Sequence, residues 1–130
     1  GKSLFEVITM ASLLEKEVRT IEDKRLVAGI LERRLRIGMA LQVDASVSYI
    51  TGKKTTRVTK EDLDTDSFYN TYEYPRLPLG PIANPGMESI QAALDPIESE
   101  YLYYLSTPDG ETIFSETLEQ HNEAKVTYLR

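Results

Sequence analysis

A chain of 130 residues with no cysteine and one histidine, His121, has few side chains able to do chemistry. Thiolate nucleophiles, disulfides, Cys-based zinc sites and His-rich metal centres are excluded. What remains is carboxylates, hydroxyls, amides and tyrosines, and Asp plus Glu number 21. One of these acids interrupts an apolar pattern: Glu15, in the stretch Ala11-Ser12-Leu13-Leu14-Glu15-Lys16-Glu17-Val18. At about 100° per residue around a helix, Leu4, Ile8 and Ala11 fall within about 40° of Glu15, which therefore lies on the stripe itself. Glu17 lies about 200° away, near Leu13, so on a regular helix the two acids cannot share one site as a close pair.

A carboxyl on such a stripe loses water, and desolvation favours its neutral form. Glu15 with a raised pKa is then a candidate general acid, able to protonate a leaving oxygen near neutral pH. On this reading Glu17→Gln leaves substantial activity. The plainer alternative makes Glu15 the exposed ion-pair partner of Arg19, four residues on. Gln42, Asp44, Asn70, Tyr72 and Asn84 gather around loops and could line a polar groove for a sugar, with Tyr69, Tyr72 or Tyr74 stacking on it. Turn chemistry competes for Asp44, Asn70 and Asn84, since such side chains bond their own backbones in loops. His121 reads as structural, with no Ser or Cys nucleophile signature to complete a triad.

Several elements must position these groups. Ser3 with Glu6 forms a capping box, so a helix begins near Leu4 and runs to about Arg19. A second helix over "IEDKRLVAGILERRLRIG" carries acids in its first turn, bases in its last and Gly38 as a left-handed stop, giving a helical hairpin. "VDASVSYITG" alternates like a strand, yet Asp44 could equally cap a short helix ending near Gly52, the preferred reading. "KKTTRV" reads as polar loop or edge strand, and Thr59 with Asp62 starts a short helical turn. From Asp66 to Pro85 a proline-rich segment is too irregular for helix or central strand, and too aromatic and apolar for disorder. Asn84 and Pro85 suit the start of a helix through "GMESIQAAL"; "YLYYLS" and "TIFSE" flank a hairpin turn at Asp109-Gly110; Thr117 opens a terminal helix.

The order is α-α-α-loop-α-β-β-α, a single α+β unit over residues 1–130 with no internal repeat. Hydrophobic residues at 41% and charged residues at 28% suit a globular domain, and no segment approaches the length of a membrane span. A net charge of −6 without a basic run argues against nucleic acid as a partner.

Taken together, "ASLLEKE", "ERRLRIGMALQVDASV", "YNTY", "LPLGPIANPG", "ALDP", "YLYY" and "IFSETLEQHN" resemble the YceG-like family of endolytic murein transglycosylases, in order and over nearly the whole chain. The resemblance implies a predominantly helical, lysozyme-like catalytic domain with a small β-hairpin and a long proline-rich loop. It implies a bacterial envelope protein at the outer face of the inner membrane, held there by an N-terminal anchor outside this fragment. Peptidoglycan glycan strands are the expected partner, with cell-wall synthases as a further class. No metal or cofactor is expected. The first glutamate of "E-K-E", Glu15, takes the catalytic role in this carry-over.

The implied reaction cuts the bond between N-acetylmuramic acid and N-acetylglucosamine without water. One carboxyl protonates the glycosidic oxygen and then deprotonates the muramoyl 6-hydroxyl, which attacks its own anomeric carbon to leave a 1,6-anhydro end. Relatives commonly have Thr, Pro and His where this chain has Val18, Ala45 and Thr112. The competing functions are a non-catalytic glycan-binding or scaffolding module of the synthesis machinery, and a true hydrolase with Asp44 as second carboxylate.

Overall fold

The computed structural model describes residues 2–52 and 58–129. Helix α1 spans Leu4–Glu17, α2 Ile21–Ile37, α3 Asp44–Thr51, α4 Lys60–Leu63 and α5 Met87–Leu94; strands β1, Tyr103–Ser106, and β2, Thr112–Ser115, precede α6, Leu118–Tyr128. The expected order and α+β class are found, and the helical reading of residues 44–51 prevails over the strand. The stretch from Lys53 to Arg57 lies outside the described residues.

Helix boundaries follow their capping chemistry. Ser3/Glu6, Thr59/Asp62 and Thr117/Gln120 form capping boxes, and Gly38 and Gly52 end their helices at φ 75° and 70°, conformations that burden any residue with a Cβ. Two expected caps fail. Asp44 is the first helical residue of α3, with Val43 as N-cap, and α5 is capped at Gly86 rather than Asn84.

Helix α1 is central. It packs along α5 and α2 and touches α3, so residues 9–14 are buried on every side. Leu13, Leu14, Val27, Leu31, Leu41 and Val43 form the heart of the core, each fully buried leucine stabilising the fold by about 1.5–3 kcal/mol. Helix α2 bears Gly29 in mid-helix because the backbone of Ile97 crosses there: a Cβ would stand 2.0 Å from the Ile97 carbonyl oxygen.

The long proline-rich segment is tied down at both ends. The Thr71 hydroxyl donates to the Val43 carbonyl and accepts from the Val43 N–H, and the Ser46 hydroxyl stands 2.9 Å from it. Farther along, the Ile82 N–H donates to the Ser12 hydroxyl, which itself donates to the Thr9 carbonyl. The antiparallel hairpin pairs Tyr103 with Ser115 and Tyr104 with Phe114, so successive tyrosines point to opposite faces. Helix α6 packs on this hairpin.

Candidate active site

A cleft of about 930 Å³ opens beside the C-terminal end of α1. Its lining draws Glu17 from α1, Arg34 from α2, Gln42, Asp44 and Tyr49 from the α3 region, Tyr72 and Ile82 from the proline-rich segment, Tyr104 from β1, and His121 from α6. A volume near the upper end of the range for ligand sites suits more than one sugar ring.

Glu17, not Glu15, faces this cleft. Tyr104 donates its hydroxyl to a Glu17 carboxyl oxygen at 2.7 Å. Burial pushes the Glu17 carboxyl up to about 7, against the Tyr104 hydrogen bond and with help from the negative charge of Asp44. Such a group is part protonated at neutral pH, the condition for a general acid that must next act as a base.

Glu15 is the converse case. One of its oxygens accepts the Gly86 N–H and the Ser89 hydroxyl, each at 2.8 Å, and the buried Lys24 ammonium stands 4.0 Å away. The backbone donor first, then the hydroxyl, hold its pKa below the ordinary carboxylate value, and its side chain is 35% exposed. The expectation of a desolvated Glu15 with a raised pKa is therefore corrected, because two donors replace the water it loses. The Arg19 alternative is corrected too, since the Arg19 guanidinium lies instead against Gly110 in the hairpin turn.

As the helical angle requires, the two acids diverge, Glu15 toward α5 and Glu17 toward β1. Both sides of the helix are buried next to these acids: Ala11, four residues before Glu15, and Leu13 and Met10, four and seven before Glu17, while Leu4 at the start of the expected stripe is 76% exposed. A helix buried all round has no unique apolar stripe. Helical spacing from core residues therefore suits Glu15 and Glu17 alike, and only the partners brought by α5 and β1 tell them apart.

Three of the expected groove residues line the cleft: Gln42, Asp44 and Tyr72. Tyr72 gives its hydroxyl to the Asp44 carboxylate, and burial with that bond pushes the phenol far up from its ordinary value, so it is a fixed donor. Gln42 adopts φ 54°, the left-handed region in a residue with a Cβ, while its N–H bonds the Thr71 carbonyl. Backbone strain of this kind recurs where a side chain must be aimed at a ligand. Asn70 and Asn84 do not line the cleft. Asn70 is fully buried, its amide donating to the carbonyls of Leu63 and Thr65 and its oxygen accepting the Tyr72 N–H; Asn84 is exposed.

Among residues the sequence left aside, Tyr104 and Arg34 belong to the site. Arg34 is buried and spends its donors on the carbonyls of Leu102, Ala40 and Leu41, joining α2 to the hairpin beneath the cleft. His121 stacks on Tyr103, with Nδ1 buried and unpartnered among the described residues. Burial, then Lys125 and Arg34, lower its pKa and favour neutral imidazole. Tyr69 and Tyr74 spend their rings on Tyr49 and Phe68. Thr112 stands opposite Ser106, which lines the cleft. Among the described residues, no three His, Cys, Asp or Glu side chains stand where they could hold a metal ion, and no helix is long and apolar enough to cross a membrane.

Known proteins resemble the chain in sequence and in fold. The chain is 45% identical over 127 residues to an endolytic murein transglycosylase of Bacillus subtilis, an alignment covering 98% of this chain and 35% of that protein. An endolytic murein transglycosylase of Streptococcus pneumoniae is 31% identical over 123 residues, covering 90% of this chain and 22% of the relative. A crystal structure of a YceG-like protein from Listeria monocytogenes superposes with a TM-score of 0.90 at 44% identity, over 95% of this chain and 40% of that one. The chain thus spans about a third or less of the length of the curated relatives it matches. Since the family model for YceG-like proteins matches residues 1–127, the chain belongs to the YceG-like family.

Proposed function

We propose that this chain is the catalytic region of an endolytic murein transglycosylase and that Glu17 is its acid and base. The observation that carries the reading is the Glu17 carboxyl, held by Tyr104 in a cleft it shares with Gln42, Asp44 and Tyr72, with its pKa near 7. Glu17 in its protonated form gives a proton to the glycosidic oxygen as the bond to the muramoyl anomeric carbon breaks. The carboxylate left behind takes the proton of the muramoyl 6-hydroxyl, whose oxygen bonds that same carbon and closes the 1,6-anhydro ring. Nucleophile and electrophile belong to one sugar, so the ring closure draws on high effective molarity rather than on a bound water.

Tyr104 fixes the carboxyl's direction, and Asp44 favours the protonated form while the Tyr72 hydroxyl keeps Asp44 itself in place. Gln42 offers an amide to sugar hydroxyls or N-acetyl groups. The reading puts the domain in the bacterial cell envelope, at the outer face of the inner membrane, with glycan strands as substrate and cell-wall synthases as partners.

A hydrolase is the second reading, favoured by one observation: Asp44 and Glu17 line the same cleft, as paired carboxylates do in glycosidases. Mass spectrometry of glycan digested by the full-length protein distinguishes the outcomes. Anhydro ends are expected; reducing ends would assign a hydrolase, and intact strands a binding module. Glu17→Gln should abolish the cleavage, and anhydro products undiminished in that variant would remove Glu17 from the mechanism.

A further inference from the structure

Glu15 sits in the last turn of α1, two residues before Glu17 and pointing the other way. Its bonding partners are the two residues an N-terminal cap would engage on α5: Gly86 is the N-cap, which has no side chain, and Ser89 is the third helical residue. In a capping box the side chain at that third position returns to the N-cap N–H. Here a carboxylate from another helix takes that place, and Ser89 bonds to it as well.

The end of α1 needs such a tie. It stops without a left-handed glycine, at an extended Val18 whose N–H reaches the Leu14 carbonyl at 3.3 Å. Side chains therefore hold the last turn. On one flank Glu15 grips α5; on the other the Tyr104 hydroxyl meets the Glu17 carboxyl, and the Ser106 hydroxyl reaches the Glu17 carbonyl at 3.3 Å. We propose that Glu15 is a positioning residue, which clamps the last turn of α1 to the start of α5 and so sets where the Glu17 carboxyl stands in the cleft. The inference rests on the assignment of Glu17 as the acid.

The clamp works through an acceptor oxygen rather than through charge, since both close donors meet the same atom and the lysine is at 4.0 Å. Glutamine at position 15 retains that oxygen; alanine does not. In the full-length protein, Glu15→Ala should lower kcat by about ten- to a hundredfold, the scale on which an ångström of misplacement acts, with KM nearly unchanged. Its alkaline activity limb should move to lower pH, because a Glu17 carboxyl released toward water titrates nearer the ordinary range. Glu15→Gln should recover most of the lost kcat and restore the limb. Ser89→Ala, which leaves Gly86 in place, should fall between the two and serves if Glu15→Ala does not fold.

Glu15→Gln as inactive as Glu15→Ala would overturn the inference, as would variants that lose thermal stability but keep kcat and pH profile. Glu17→Gln run in parallel separates the two failures: if it still cleaves, the assignment of Glu17 is at fault. If it is dead and Glu15 behaves as just described, only the clamp is.

Discussion

Replacing Glu17 by glutamine should stabilise the chain above pH 7 and leave its stability nearly unchanged near pH 4. Burial raises the folded-state pKa of this carboxyl from 4.5 to about 7, a gap of about 2.5 units. Between those values the folded chain keeps a proton that the unfolded chain has released, so the wild type loses stability as pH rises through the window and levels off beyond it. At 1.36 kcal/mol per unit the full penalty is about 3 kcal/mol. Glutamine never ionises, and its carbonyl oxygen can still accept the Tyr104 hydroxyl that lies 2.7 Å from Glu17. Urea unfolding of both proteins at pH 4 and pH 8 measures the effect, because titrations common to the two cancel in the difference. A gain of about 3 kcal/mol at pH 8, seen as a Tm rise of about 10 °C, should shrink to near zero at pH 4. A difference independent of pH, or a wild type more stable than the variant at pH 8, would refute the claim that Glu17 is buried at a cost.

Tyr104→Phe removes the donor that holds Glu17's pKa down, so the alkaline limb of the pH–rate profile should rise by about one unit; a limb that stays in place would mean the hydroxyl is not bonded to the carboxyl. Glu15→Gln should cost at most about 1 kcal/mol at pH 7, because the lost charge is exposed and screened. That penalty should vanish on acidification through the lowered Glu15 pKa, and comparing denaturation at pH 7 and pH 3 checks the sign. Asn70→Ala leaves the carbonyls of Leu63 and Thr65 and the Tyr72 N–H without their partner, so thermal unfolding should show a loss of about 2–4 kcal/mol. Gly29→Ala drives a methyl into the Ile97 carbonyl and should cost about 3 kcal/mol or more, read from the same melts.

Capping motifs, apolar period and turn residues act within a few residues of each other, which is why nearly every element was legible in order and type. Where a cap came from elsewhere in the chain, the local reading failed: Asn84 looked like the α5 cap, but Glu15, 71 residues before Gly86, holds that helix start. The same long-range contact supplies Glu15 with the donors that lower its pKa, which no local pattern announces. Periodicity finds a buried face only when a helix has an exposed one, and α1 is enclosed over residues 9–14. Gln42, Asp44 and Tyr72 were recoverable because polar residues that flank loops gather at cleft rims. Tyr104 and Arg34 were not, since a tyrosine in a strand and an arginine in a helix look alike whether they meet solvent, an acid or, as Arg34 does, backbone carbonyls. Asn70 shows the limit from the other side: its loop position suggested a ligand contact, yet it is fully buried and its side chain makes three hydrogen bonds to backbone around Tyr72.

The knot of hydroxyls joining Thr71, Ser46 and Val43, with the Ser12 tie to Ile82, anchors the proline-rich wall to α1 and to the start of α3. On the proposed function, a wall tied in this way has less conformational entropy to lose when a glycan strand binds, so most of the ordering cost falls on the strand. Stiffening the ligand, as a short strand locked in its bound shape would, should therefore raise affinity more than any tightening of the protein. The heat-capacity change on binding should likewise reflect covered surface alone, without the large negative contribution of a segment that folds as it binds.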